Sequence, residues 1–496
     1  MTAIAVVMAF MLGSKLLGFL REVALSSKFG MSYVTDAYKV AFDIPCLLLS
    51  ALIAAIAAVF IPIYNERSKL GEAEKRRFVT AVLVVGLLVS AVVALITQLS
   101  LGWLVRAMLP DASDETIELT IKLSTIMMPM ALFVFLFRML GSYLQANFNF
   151  MMSAIATCFS AICVIAGIYL SNGNITVVAV WTLVGMAVEF VTLIPRTTRL
   201  GVAKFSRFTI ADSGIRQLAF LMLPLLVMGV FDQMYIVFDR VVTSSIEGDI
   251  SALNYAYRIS TMVSSAFLLT ISTVLYPSIT KAADDKREFA EQFSFGVNLN
   301  MLIGIPAMAM LLILRQPVVR AVYERGAFLP SNTLTTAGCL ACYSVGMVGV
   351  GLREILNRAF WAKKSMRIPM MVGVLGVILN IALDFPLYNL FGVSGVALSQ
   401  SVSIFAAAAA LMIILKIKYS DIGSPAMLAC LRKTAVATAA MCAALLALQY
   451  LLNLDSIAYL LAAALVGLLV YIALLFVQKT SEVSMLFSFL KARGTK

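Results

Sequence analysis

Histidine is absent from the 496-residue chain, which removes the commonest metal ligand and the commonest proton carrier near neutral pH. No Gly-x-x-x-x-Gly-Lys-Ser/Thr phosphate loop occurs, so ATP hydrolysis by this chain is excluded. No serine–lysine or cysteine-based nucleophile constellation is present either, and the expectation is a protein that is not an enzyme. Charge is scarce: 13% of residues are Asp, Glu, Lys or Arg, against 61% hydrophobic. The seven cysteines (Cys46, Cys158, Cys163, Cys339, Cys342, Cys430 and Cys442) lie in apolar stretches and read as small buried hydrophobes.

What is present in abundance is apolar run. The mean hydropathy is +0.97, and membrane-length apolar stretches recur from end to end, so lipid must be the solvent for most of the surface. Loop signals between the runs predict helices over 3–25, 36–64, 78–107, 117–145, 151–170, 175–195 and 214–244. A second series follows at 251–280, 289–314, 335–360, 368–390, 392–417, 426–452 and 456–478. This is an all-α integral membrane protein of about fourteen transmembrane helices. The first apolar stretch has no basic residue before Lys15 and no polar cleavage region after it, so it is expected to be a retained helix and not a removable signal.

The net charge of +12 is distributed unevenly. Arg67, Lys69, Lys75, Arg76 and Arg77, Arg196, Arg199, Lys204 and Arg207, Lys281, Lys286 and Arg287, and Lys363, Lys364 and Arg367 fall in loops on one face. Lys416, Lys418, Arg432, Lys433 and the C-terminal Lys479, Lys491, Arg493 and Lys496 join them. The opposite face has Lys28, Arg106, Arg315, Arg320 and Arg325, with acids from Asp111 to Glu118 and at Glu247 and Asp249. Basic loops stay in the cytoplasm, so both termini are expected there. The charge reads as a topology signal, with a nucleic-acid patch as the remote alternative.

An internal repeat is visible. Arg21-Glu22 and the Ser-Ser-x-x-Gly30 that follows reappear as Asp239-Arg240 and Ser-Ser-x-x-Gly248, and Ala37-Tyr38-Lys39-Val40 reappears as Ala256-Tyr257-Arg258-Ile259. The copies begin in the first and seventh expected helices. The copies are thus six helices apart, and an even spacing preserves orientation, which makes parallel repeats about an axis along the membrane normal. The expected division is an N-terminal lobe over 1–200, a C-terminal lobe over 201–420, and a further helix pair with a cytoplasmic tail over 421–496. Such lobes suit alternating access about a central site.

A charge at the centre of a membrane helix costs at least about 2.5–3.5 kcal/mol on insertion scales, so the embedded ones locate function or pairing. Arg21/Glu22, Asp239/Arg240 and Arg353/Glu354 are sequence neighbours. Neighbours point about 100° apart on a helix, so each member is expected to pair with another helix. Lys122, Arg216 and Arg358 stand near helix ends and are expected to snorkel. Lys15, Arg21, Asp36, Lys39 and Asp43 concentrate in two segments interrupted by Gly13, Gly18 and Pro45. With Arg258 from the second repeat, Lys15 and Arg21 form a candidate cationic cavity suited to a phosphate or pyrophosphate.

These motifs also carry a resemblance. Ser14 to Glu22 (SKLLGFLRE), Thr35-Asp36-Ala37, Ala41 to Pro45 (AFDIP) and Phe60-Ile61-Pro62 resemble the opening of the MurJ/MviN family of lipid II flippases. The resemblance continues through Ile236 to Arg240 (IVFDR), Ser251 to Arg258 (SALNYAYR), Thr273 to Ser278 (TVLYPS), Tyr323 to Phe328 (YERGAF) and Leu352 to Phe360 (LREILNRAF). It implies membership of the multidrug/oligosaccharidyl-lipid/polysaccharide exporter superfamily, with two added helices forming a groove for a lipid tail. It implies transfer of undecaprenyl-pyrophosphate-linked lipid II from the inner to the outer leaflet of a bacterial plasma membrane, by a monomer with no nucleic-acid partner. The family's substrate-binding residues fall on Lys15 (usually Arg), Arg21, Asp36 and Arg258. The arginine many members carry in the second helix falls near Leu49-Ser50, and an acid beyond the last arginine falls on Thr261. A sodium site, the only cofactor implied, falls on Asp239, Asn380 and Asp384. An ion-coupled exporter of drugs, or of another lipid-linked oligosaccharide, is the alternative on the same fold.

Overall fold

The computed structural model describes residues 2–149, 151–202, 213–419, 425–452 and 457–478. Every regular element among them is helical, as expected where only intrasegment hydrogen bonds can satisfy a backbone in lipid. The chain divides into two compact units, one of Met1–Ser251 with Arg325–Phe328 and one of Ala252–Glu324 with Leu329–Lys496.

The first unit contains α1 (Thr2–Phe29), α2 (Tyr33–Lys69), α3 (Glu72–Leu99), α4 (Leu101–Met108), α5 (Asp114–Met127), α6 (Met130–Ala146), α7 (Met151–Leu170), α8 (Ile175–Arg199) and α9 (Ser213–Val242). Its axis is α2, which packs on α3, α5, α6 and α9. Ile44, Phe60, Phe78 and Phe135 are buried in that cluster. α1 lies on α7 and closes a second cluster through Ala24, Leu25, Val164 and Ile168. The excursion Arg325–Phe328 docks on the end of α1, where the Ala327 amide donates to the Ser27 carbonyl at 2.8 Å. Gly326 and Gly30 both adopt positive φ there, and a Cβ on either would run into the backbone of the other strand of the contact. This accounts for the glycines within the YERGAF motif and after α1.

The second unit contains α10 (Asp249–Ala266, its first turn belonging to the first unit), α11 (Leu268–Lys281), α12 (Lys286–Ile313), α13 (Arg315–Tyr323) and α14 (Pro330–Ala362). α15 (Arg367–Phe391), α16 (Val393–Tyr419), α17 (Pro425–Leu452) and α18 (Ile457–Val477) complete it. α14 and α16 approach closely because Gly338, Gly346 and Gly349 face Ser394, Ser401 and Ile404, the small-residue packing that drives helix association where lipid supplies no hydrophobic contrast. The Ser401 hydroxyl donates across this seam to the Cys342 carbonyl at 2.7 Å. α17 and α18 pack on each other and on α12.

All fourteen expected segments fall on helices, but three of them are broken. The segment 78–107 divides at Ser100, 117–145 at Met128–Pro129 with a bend of 46°, and 251–280 at Phe267. By length and composition, ten helices among the described residues are long and apolar enough to cross a membrane, eleven when the bent α5–α6 pair counts as one. The first compact unit runs through Ser251 and so includes α9, which packs along α2.

Candidate functional site

Glu22 is 3% exposed and organises the charges of α1 and α2. It accepts from Arg21 Nη2 at 3.0 Å and from Lys39 Nζ, while the Arg21 guanidinium lies 5.6 Å from the Phe42 ring. Arg21 thus pairs with its own sequence neighbour, contrary to the expectation of partners on other helices alone. A long guanidinium can span the 100° that separates adjacent positions. One carboxylate is thus shared by two cations in this cluster. Lys15 stands outside it, on an exposed position of α1.

Two further acids of α2 act as structural ties. Asp43 accepts from Arg240 of α9 at 2.8 Å, the interhelical pairing expected for the Asp239/Arg240 neighbours. Asp36 is 4% exposed and accepts from the Gly248 amide at 2.6 Å, the Ser251 amide at 2.8 Å and the Ser251 hydroxyl at 2.5 Å. Its carboxylate therefore caps the N-terminus of α10, where the helix dipole favours a negative charge. Expected among substrate contacts, Asp36 has both oxygens engaged in this structure. Glu189 of α8, which sequence reasoning passed over, is buried and accepts from Thr157 of α7 at 2.8 Å. The signal was available: it is the lone acid of an otherwise apolar helix.

In the second unit Arg258 occupies an exposed position on α10. Asn380 and Asp384, one turn apart on α15, meet Ser399 of α16. The Asn380 amide donates to Asp384 Oδ1 at 2.9 Å and to Ser399 Oγ at 2.8 Å, and the Ser399 hydroxyl also donates to Asp384 Oδ1. Asp384 Oδ2 is buried with no hydrogen-bond partner. An orphaned carboxylate oxygen beside the Ser399 hydroxyl is of the donor type a hard cation takes, while the Asn380 amide turns its nitrogen to the cluster. Asp239, the third expected ligand, belongs to the first unit, beside Arg240. Ser399 was missed because serine in an apolar run carries no charge signal. Glu354 pairs with Arg358 at 3.1 Å within α14 and not with another helix, and Arg358 also donates to Thr273 of α11. Cys339 and Cys342 stand at CxxC spacing in α14 without a disulfide, and no His/Cys/Asp/Glu cluster suited to a metal occurs among the described residues.

Long apolar helices with charges tied in buried pairs define a polytopic membrane protein. An inward-facing multidrug resistance MATE transporter of the MOP superfamily shares the fold, with a TM-score of 0.71 at 12% identity over 84% of this chain and 98% of that one. A structure of lipid II flippase MurJ in an inward closed conformation superposes with a TM-score of 0.82 at 25% identity, covering 94% of this chain and 98% of that chain. The family model for lipid II flippase MurJ matches residues 25–477, and the chain belongs to that family. Its relatives include the probable lipid II flippase MurJ of Rickettsia prowazekii, 26% identical over 401 residues, or 79% of this chain and 78% of the relative. That of Vibrio cholerae is 26% identical over 420 residues, 81% and 80% of the two chains. The family is one of transporters, so the chain is not an enzyme, and it is a multi-pass protein of the bacterial inner membrane.

Proposed function

We propose that this chain flips lipid II, the undecaprenyl-pyrophosphate-linked peptidoglycan precursor, from the inner to the outer leaflet by alternating access. The observation that carries the reading is the family match across residues 25–477 together with the fold shared with a MurJ flippase over nearly the whole chain. Lys15, Arg21 and Arg258 bind the pyrophosphate, and the gathering of two cations, Arg21 and Lys39, on the single carboxylate of Glu22 supports that role for Arg21. α17 and α18 hold the lipid tail. Their outward positions, from Leu428 and Val436 to Leu461, Leu465 and Leu469, are exposed and apolar. Both termini are cytoplasmic and the working form is a monomer. A sodium ion at Asn380 and Asp384, with Asp239 as the third ligand, would supply a fixed positive charge to these acids and couple transport to an ion gradient.

The test is complementation of a flippase-depleted strain. The wild-type chain should restore growth and clear lipid II from the inner leaflet, while Arg21→Ala and Arg258→Ala, inserted at normal levels, should not. Growth supported by both variants would exclude the cationic contacts, and failure of the wild-type chain in a membrane where it inserts would exclude lipid II as cargo.

A further inference from the structure

α12 carries Pro306 one turn beyond Leu302, and both are buried. Proline has no N–H, so the Leu302 carbonyl loses the donor that every other residue type would return to it. In the bilayer core no water can take that place. The hydroxyl of Tyr471, on α18, donates to this carbonyl at 2.6 Å, and the bond is buried. Tyr471 is itself 5% exposed, and phenolic hydroxyls in such surroundings usually find a partner.

The surrounding contacts place α18 at this point of α12. Tyr459, Ala463, Gly467, Tyr471 and Leu475 recur every fourth residue and so share one face of α18; the four that carry a side chain beyond hydrogen are buried in one cluster with Leu302 and Ala309. At Gly467 a Cβ would stand 3.1 Å from Leu445 of α17 and 3.4 Å from Met310 of α12, so the three helices converge within one turn of the proline. The Cys430 thiol of α17 lies 4.0 Å from the Asn298 carbonyl, one turn earlier on α12. By contrast α3, third in the first half as α12 is third in the second, contains no proline.

We propose that Tyr471 is a positioning residue that fixes the α17–α18 pair to α12 by taking up the carbonyl left open by Pro306. The pair is then carried with α12 as a built-in part of the second unit. Where α17 and α18 hold the lipid tail, a role that rests on the function proposed above, this bond sets the depth and rotation of α18 in that surface.

A rescue cycle tests it, using the full chain in lipid nanodiscs. Tyr471→Phe keeps the ring and its packing but removes the donor, and should lower the unfolding midpoint by on the order of 1–2 °C. Pro306→Ala restores the amide at 306, so the helix supplies its own donor to Leu302. In that background Tyr471→Phe should have no further effect, and the double variant should unfold with Pro306→Ala. An equal drop in both backgrounds, or none in the wild type, would overturn the proposal. Flipping of lipid II by the same proteins in proteoliposomes should fall in Tyr471→Phe and recover in the double variant. If the midpoints obey the cycle while flipping never changes, the pin stands and the tail-holding role of the pair falls.

Discussion

Removing the Asp36 carboxylate should destabilise the first unit more than it weakens any contact with cargo. Asp36→Ala leaves three buried donors without an acceptor, the Gly248 amide, the Ser251 amide and the Ser251 hydroxyl. A hydrogen bond to a charged group contributes about 1.5–3 kcal/mol, and loss of a helix cap costs about 0.5–2 kcal/mol. The three bonds share one carboxylate and are not additive, so a loss of about 3 kcal/mol is expected. With an unfolding entropy near 2.1 cal/mol/K per residue, that loss lowers the midpoint of a chain of 496 residues by roughly 3 °C. Asp36→Asn keeps one acceptor but turns an NH2 towards donors, and should lose about half as much. The assay is thermal unfolding in nanodiscs, with Ser251→Ala as the second arm of a double-mutant cycle. The two changes should be less than additive, because each removes the same bond. An Asp36→Ala protein with an unchanged midpoint but no affinity for a pyrophosphate-linked lipid would refute the capping role.

Three further outcomes follow from the charges. Breaking the Asp43–Arg240 pair by Asp43→Ala should cost about 3–5 kcal/mol, because Arg240 would remain buried without its partner; exchanging both for apolar residues of similar volume should cost far less, as thermal unfolding will show. Asp285, the exposed N-cap of α12, accepts from the amides of Glu288 and Arg287, which hold its carboxyl below the ordinary 3.8. Its contribution is therefore complete above that value and is lost as the pH falls through the lower folded value, so Asp285→Asn and wild type should differ in midpoint by a constant amount between pH 5 and 8 and converge only in stronger acid. On the proposed function, a potential negative inside contributes about 2.3 kcal/mol per charge per 100 mV to outward movement of the anionic cargo; collapsing it in vesicles at constant sodium should slow flipping, and Asp384→Asn should remove only sodium dependence, whereas transport indifferent to both would exclude this energy source.

Much of the fold was legible because lipid leaves so few options. Once a run is apolar and long enough, only a helix satisfies its backbone, and so the fourteen segments fall on helices. Their interruptions were not legible, because hydropathy does not change across Ser100 or Phe267, and only Pro129 announced its break at the α5–α6 bend. The packing of α9 on α2 was hidden for another reason. It depends on which face of α9 meets α2, a tertiary choice that a repeat pattern does not encode. In the site, residue types were readable and partners were not. Asp36 and the amides it caps lie 212 and 215 positions apart, and Asp43 and Arg240 lie 197 apart. A carboxylate in an apolar segment looks the same whether it waits for a ligand or closes a helix.

The sharing of Glu22 between Arg21 and Lys39 bears directly on how a flippase of this kind can release what it binds. At an effective dielectric of 20, two unit charges 4 Å apart interact by about 4 kcal/mol, and about 1.4 kcal/mol is a factor of ten in an equilibrium constant. An uncompensated cation added beside a pyrophosphate would therefore tighten binding by roughly a thousandfold and slow its exit accordingly. On the proposed function, Glu22, 3.0 Å from Arg21, subtracts from that attraction. Glu22→Gln should consequently bind a pyrophosphate-linked lipid more tightly and release it more slowly, with turnover falling even though affinity rises. Buried Lys39 would lose its counter-ion as well, so the midpoint should drop, and Glu22→Gln/Lys39→Met should recover stability without recovering release. Measuring dissociation of a labelled pyrophosphate-linked lipid from the three proteins separates the effects. Faster dissociation from Glu22→Gln would mean that Glu22 serves only to hold α1 against α2, and that Arg21 does not meet the anion.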